Sequence, residues 1–484
     1  MKKLSRISPQ PLFSYFEAIS KVPRPSKKEE KIRQFLLDFA VQNRLEAKTD
    51  SVGNVLILKP ATNGMENVPA VILQTHMDMV CEKNSDVDFD FDTDSIELRI
   101  EEGWVKANGT TLGADCGIGM AAQLAVLSSS TLKHGAIECF FTVDEESGMS
   151  GAFGIEPGFL SGNILLNLDS EDEGEIFIGC AGGVDTLATF SYTRDKVPAG
   201  FVAVRIGVTG LLGGHSGDDI DKNRGNANKI LNRFLLGVSL KHEIKIAVFD
   251  GGNLRNAIAR EAFAVVAVHE NEKDSFIDEL EKYSIQTKSD YLLTEPEMRF
   301  FVEDVDTPDF VINCKTQQKL MRAICACPHG VMGMSKRIEG MVETSTNLAS
   351  VKFIDENKIL ITTSQRSEVE SQKKSVAKMV ESVFELAGAE VVHSDGYPGW
   401  TPNPNSKIVK TTVNSYKKLF GVTPVVRSIH AGLECGLFLE KYPNLDMVSF
   451  GPTILGAHSP NERLNIETTG KFWTHLIDVL ENIK

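Results

Sequence analysis

Two apolar runs in this 484-residue chain stop abruptly on residues that bind cations or move protons: Leu73-Gln74-Thr75-His76-Met77-Asp78 and Phe140-Phe141-Thr142-Val143-Asp144-Glu145-Glu146. Acids and imidazoles at a strand's end lie where open α/β sheets build their sites. Asp115 in Gly113-Ala114-Asp115-Cys116-Gly117, Asp169 in Leu166-Asn167-Leu168-Asp169 and His458 in Gly456-Ala457-His458-Ser459-Pro460 extend the set. Two His and several carboxylates of this kind point to a hydrolase that uses two divalent ions.

His76 and Asp78, two apart on a strand, present their side chains to the same side. A ligating His gives its second ring N–H to a carboxylate, a place Asp78 can fill. A lone HxD is common by chance and carries little without the other residues. Asp115, in a Gly-rich turn ahead of a helix, can bridge two cations through its two oxygens; taken alone it reads as an N-cap. Glu145 and Glu146 repel each other and lose solvation on burial, which suits a site where one faces a metal and the other handles protons. A solvated loop pair is the alternative.

The elements that must position these residues alternate. Residues 8–43 read as two helices, the second opened by a Ser26-Lys27-Lys28-Glu29 capping box and carrying Ile32, Phe35, Leu36 and Phe39 on one face. Short apolar strands follow at 52–58, 70–75, 137–143 and 164–168, with a helix at 118–127 directly after the Asp115 turn. This order predicts an α/β domain whose sheet is covered on both faces. The texture changes from 186 to 389, where two rough sets of α+β elements, 201–286 and 297–387, predict a duplicated insert. Helices at 405–420 and 467–482 and strands at 424–428 and 446–450 return to the earlier style, so residues 1–185 and 390–484 form one discontinuous domain around the insert at 186–389.

Length and composition bound the function. A chain of 484 residues exceeds one ordinary core, and two domains are expected. The net charge of −15 argues against nucleic acid or an anionic membrane as partner, because phosphate binding needs a basic face. No stretch approaches a membrane span, and the charged start Met1-Lys2-Lys3 has no apolar run after it, so a cytoplasmic protein is expected. The eight cysteines show no CxxC pairing and read mainly as reduced core thiols.

With these residues in place, the chain resembles the co-catalytic zinc aminoacylase and carboxypeptidase metallopeptidase family. The resemblance rests on Thr75-His76-Met77-Asp78, Gly113-Ala114-Asp115, Asp144-Glu145-Glu146, Asn167-Leu168-Asp169 and Gly456-Ala457-His458. Gly213-Gly214-His215-Ser216-Gly217, Gly251-Gly252-Asn253-Leu254-Arg255-Asn256-Ala257, Glu343 to Ala349 and His430-Ala431-Gly432-Leu433-Glu434-Cys435-Gly436 are similar to its bacterial branch acting on aminoacyl-histidine dipeptides, essentially end to end. The resemblance implies a zinc-exopeptidase-like catalytic domain with a mixed sheet between helices, interrupted by a duplicated, ferredoxin-like lid. It implies hydrolysis of unblocked dipeptides, especially Xaa-His including β-alanyl-histidine. An N-acyl amino acid deacylase or carboxypeptidase of the same fold is the competing reading. A non-catalytic binding protein would have lost ligands or base, and none is lost here.

Carried over residue by residue, the resemblance implies that His76 and Asp169 hold one Zn²⁺, that Glu146 and His458 hold a second, and that Asp115 bridges them; Co²⁺ or Mn²⁺ can substitute in such sites. Glu145 would be the general base toward a water shared by two ions about 3.5 to 4 Å apart, with Asp78 orienting His76. Cys116 follows the bridging Asp115 where many relatives carry a second acid; it reads as a packed thiol or an extra ligand. From the lid, His215 would donate to the tetrahedral oxyanion, a surface His being the alternative. Asn253 and Arg366 are lid candidates for substrate binding, Arg366 as a fork on a terminal carboxylate or as a structural ion pair. Glu434 is a candidate for the free α-amino group, and His430 is a substrate contact or a supporting group. Small dipeptides are the expected partners, and a homodimer is among the assemblies left open.

Asp86-Val87-Asp88-Phe89-Asp90-Phe91-Asp92 mimics an EF-hand loop, but Phe91 stands where its sharp turn requires Gly, and a charged hairpin is expected instead.

Overall fold

The computed structural model describes residues 4–354 and 357–484; Met1 to Lys3, the charged start of the chain, lie outside them. Two compact units form. One takes in the chain up to Gly179 with Trp400–Ser428 and Leu433–Lys484; the other takes in Cys180–Gly399 with Ile429–Gly432.

The first unit is built on an eight-stranded sheet in the order Glu46–Thr49, Val55–Lys59, Ile137–Thr142, Val71–His76, Ile164–Asn167, Asp446–Ser449, Glu175–Cys180 and Val425–Ile429. Val71–His76 and Ile137–Thr142 are buried at every residue, which is why they read as continuous apolar runs with no alternation. Val71–His76 runs parallel to both neighbours, and Asp446–Ser449 parallel to Ile164–Asn167. Their C-terminal ends therefore meet at one sheet edge, which brings His76, Glu145 and Asp169 together although they are far apart in sequence. The crossover between Val71–His76 and Ile137–Thr142 is the helix Ala114–Ser128, regular only beyond Asp115 and Cys116. After Asp446–Ser449 the backbone passes so close to Ser170 that a Cβ at Gly451 would lie 1.8 Å from the Ser170 carbonyl oxygen. Only glycine permits that approach.

Two local readings are corrected here. Ser26 does not cap the following helix, which begins at Glu30 with no side-chain cap. Its hydroxyl donates instead to Asp78 Oδ2 at 2.7 Å, and the Glu29 carboxylate accepts the N–H groups of Lys27 and Asp144. Partners across the fold have outcompeted the local box. The acidic run at 86–97 contains no strand; it is a loop in which Lys28 holds Asp92 at 2.6 Å, and the hairpin comes next, Leu98–Glu101 against Trp104–Ala107.

The second unit carries a nine-stranded sheet. Its main path runs Arg299–Val305, Phe201–Thr209, Ala262–His269, Ile244–Gly251, Val342–Ile354, Lys358–Ser367, Gly182–Ser191 and Glu390–His393. The strand at 299–305 thus closes the first α+β set by pairing with Phe201–Thr209, rather than opening the second. The second set is opened by Gly182–Ser191, which pairs with Lys358–Ser367. Element order could not reveal this, because the partner of a strand is chosen by register and burial, not by proximity in the chain. Within the sheet the halves join where Gly251 lies opposite Val351, and the side chains of Asn232 and Gln317 bond backbone carbonyls from one half to the other.

Candidate metal centre

At the shared strand edge of the first unit, Asp115 is divided between two imidazoles. His76 Nε2 lies 3.0 Å from Asp115 Oδ1 and 3.3 Å from Asp169 Oδ1. His458 Nε2 lies 3.2 Å from Asp115 Oδ2 and 3.0 Å from Glu146 Oε2. Two nests result, each with one imidazole and one terminal carboxylate, joined by a carboxylate common to both. His76 is buried at 1 % exposure, whereas His458 is 54 % exposed and adopts φ +60, a left-handed conformation that turns its ring back toward the acids.

The electrostatics follow from the packing. Burial disfavours the charged form of His76, but Asp169, Asp115 and Asp78 outweigh it and hold the imidazole well above its ordinary range. Hydrogen bonds to the Asp115 and Glu146 carboxylates push His458 up to about 11. Burial raises the Asp169 carboxyl to about 6. Burial, then Asp169, Glu146 and Glu434, drive Glu145 well above the usual carboxylate range. So many acids in one pocket need positive charge, and protons meet that need when no metal does. The donor set of two imidazoles and three carboxylates suits divalent cations such as zinc. Glu146 Oε1 is buried with no hydrogen-bond partner among the described residues. The residues fit two metal ions.

Support comes from further out. His76 Nδ1 stands 3.3 Å from Asp78 Oδ1. Asp78 also accepts the N–H of Glu145 at 3.1 Å and of Glu146 at 3.2 Å. Cys116 is buried, its thiol donating to the Leu168 carbonyl at 3.4 Å; burial and Asp169 push it well above the thiol range, and it groups with His76 and Asp169. Glu434 is buried at 1 %, where its Oε2 accepts from Gln74 at 2.6 Å and Thr142 at 2.7 Å and its Oε1 has no partner. Burial raises it to about 8.

Three supporting residues carried no readable signal in the sequence. Arg24, 2 % exposed, donates to the carbonyls of Asp78 at 2.6 Å, Met77 at 3.3 Å and Gly113. Glu462, also 2 % exposed, accepts four consecutive backbone N–H groups from Leu112 to Asp115. Glu171 is raised to about 9 by burial and then by Asp115, which puts it within electrostatic reach of the centre.

His215, Asn253 and Arg366 belong to the second unit. His215 Nδ1 lies 3.3 Å from the N–H of Gly217, 3.2 Å from that of Asp218 and 3.4 Å from the Asp218 carboxylate. Arg366 is 7 % exposed, held by Tyr397 Oη at 3.0 Å and Ser216 Oγ at 3.4 Å, with no carboxylate at ion-pair distance among the described residues. Asn253 is exposed, its Oδ1 accepting from Lys352 at 2.9 Å. His430 is buried against Ser345 Oγ at 2.7 Å.

Residues 72–481 match the profile of peptidase family M20/M25/M40. The chain is 44 % identical over 483 residues to the cytosol non-specific dipeptidase of Escherichia coli K12, covering 100 % of this chain and 99 % of the relative. It is similar to the crystal structure of aminoacylhistidine dipeptidase from Vibrio alginolyticus, with a TM-score of 0.92, 47 % identity and 100 % and 98 % of the two chains covered. A tripeptidase from Staphylococcus aureus shares the fold, at a TM-score of 0.58 and 17 % identity over 99 % of each chain.

Proposed function

The chain belongs to peptidase family M20/M25/M40, and from that premise we propose that it hydrolyses unblocked dipeptides, Xaa-His and β-alanyl-histidine among them, with two zinc ions. The observation that carries this reading is the division of Asp115 between His76 and His458. His76 and Asp169 would hold one ion, Glu146 and His458 the other, and Asp115 both. When bound, the ions supply Lewis acidity at the scissile carbonyl and bring a water's pKa toward neutrality. Co²⁺ or Mn²⁺ would serve in the same donor set.

The chain's own residues do the rest. Glu145, pinned through its backbone N–H by Asp78, takes the proton of the attacking water on its carboxylate and returns it to the departing amine. Asp78 holds the second ring nitrogen of His76 and so its tautomer. His215 would donate a ring N–H to the tetrahedral oxyanion. Arg366 is a buried guanidinium without a carboxylate partner; the substrate's terminal carboxylate would supply one, and a fork pairing would restrict cleavage to peptides ending nearby. Glu434, with an unpartnered buried oxygen, is assigned to the free α-amino group, and Asn253 to the substrate's backbone. The reading takes the cytoplasm as the place of work and includes a homodimer; among the described residues no helix is long and apolar enough to cross a membrane.

The test is a matched panel: Ala-His, β-Ala-His, Ala-Ala, Ala-Ala-His and N-acetyl-His, given to the zinc-loaded protein. Cleavage confined to the free dipeptides supports the reading. Cleavage of N-acetyl-His in their place would make the protein a deacylase.

A further inference from the structure

Glu462 stands four residues after His458, on the segment that delivers the exposed imidazole to the centre. Its side chain turns away from solvent, to 2 % exposure, and into the turn that carries Asp115. There Oε2 accepts the N–H groups of Leu112 at 2.7 Å and Gly113 at 2.9 Å, and Oε1 those of Ala114 at 2.7 Å and Asp115 at 3.3 Å. A buried carboxylate beside another carboxylate is costly unless its bonds are needed. Capping this turn alone would take only a nearby Ser or Asp. The acceptor comes instead from about 350 residues away, from the segment bearing a ligand.

The opposite face of the turn is held just as closely. Arg24 donates to the Gly113 carbonyl and, from the same guanidinium, to the Asp78 carbonyl at 2.6 Å. Gly113 has φ +68, and a Cβ there would lie 2.5 Å from Arg24 Nη2. The turn is thus clamped between a buried cation that reaches the His76 strand end and a buried anion that belongs to the His458 segment. Glu462 links the segments that carry Asp115 and His458, whose side chains stand 3.2 Å apart.

We propose that Glu462 is a positioning residue that sets the separation of Asp115 and His458, and with it the affinity of the second metal position, the one formed by Asp115, Glu146 and His458. The proposal rests on the di-metal reading above. In Glu462→Gln the amide nitrogen would face the backbone N–H groups that the carboxylate oxygen receives, so the turn and the His458 segment lose their common anchor. The His76 and Asp169 position shares Asp115 but has its other two ligands on strand ends, so it is disturbed less.

The experiment titrates metal-free protein with Zn²⁺ in competition with a chromophoric chelator, beside thermal unfolding of the metal-free forms and steady-state kinetics on Ala-His. Wild type should take two ions. Glu462→Gln should weaken one affinity at least about tenfold, on the order of what loss of a ligand's supporting partner costs, and the other distinctly less. Its kcat should fall while the KM and the metal-free melting temperature stay near wild type. Glu462→Asp, which keeps the charge, should recover part of the lost affinity; it decides on the same criterion if Glu462→Gln does not fold. Two wild-type affinities in Glu462→Gln, or equal weakening of both with a lower melting temperature, overturns the proposal. Wild type that takes no zinc overturns the di-metal reading itself.

Discussion

Asp78 Oδ1 receives the backbone N–H of Glu145 at 3.1 Å. The carboxylate behind His76 therefore also places the base, while its other oxygen holds Glu146 and takes a hydrogen bond from Ser26. Burial raises the Asp78 carboxyl, but His76, Ser26 and the Glu145 N–H outweigh it and keep it below the usual range, so it remains an anion. Asp78 is more than an orienter of one imidazole.

Asp78→Ala removes the partner of His76 and of both glutamate N–H groups at once. We expect kcat/KM on Ala-His to fall more than about 100-fold, and zinc affinity to fall about 10- to 100-fold. Kinetics and chelator competition on the same preparation check this; full activity with weakened metal would remove Glu145 positioning from the role of Asp78.

Glu145→Gln keeps size and loses the proton acceptor. Turnover should fall by about 10² to 10⁴ with KM nearly unchanged and both ions retained, as counted by elemental analysis. A variant that turns over normally would dismiss Glu145 as base.

Glu434, raised to about 8 with Oε1 unpartnered, can give up its proton beside an arriving ammonium, which a glutamine amide cannot do. Glu434→Gln should raise KM for Ala-His at least about tenfold, with kcat less affected. An unaltered KM would end the assignment of Glu434 to the α-amino group.

His430 predicts an acid-side loss of stability. Burial, then Arg366, lowers its pKa to about 3, against an ordinary value of 6.5. The unfolded chain therefore binds the proton and the folded one does not, so the effect is nil above pH 6.5 and stability falls as pH drops toward 3. Between pH 7.5 and 5 this costs about 2 kcal/mol. Urea unfolding of the metal-free protein at the two pH values measures it, and His430→Gln should flatten the difference by that amount.

The ligands were legible because each closes a local pattern. An apolar run ending in His76 or Glu145, or a Gly-rich turn around Asp115, announces itself within a few residues, and a parallel sheet then collects the strand ends on one edge. What held them was not legible. Ser26 and Glu29 imitate a helix cap, but their partners are Asp78 and Asp144. Arg24 and Glu462 are single charged residues in ordinary loops, with nothing nearby to mark them. The same limit displaced the second α+β set, whose first strand, Gly182–Ser191, lies far upstream of the rest.

By itself the sequence determined the donor types, their order and the α/β frame, because strand periodicity, turn chemistry and ligand chemistry act between near neighbours. Tertiary structure alone decided which oxygen of Asp115 faces which imidazole, which strand closes which set, and that a buried Arg24 and a buried Glu462 grip the same turn. Those choices depend on hydrogen bonds and packing between segments hundreds of residues apart, where burial makes an unpaired charge costly and so selects its partner, and no local pattern records that selection.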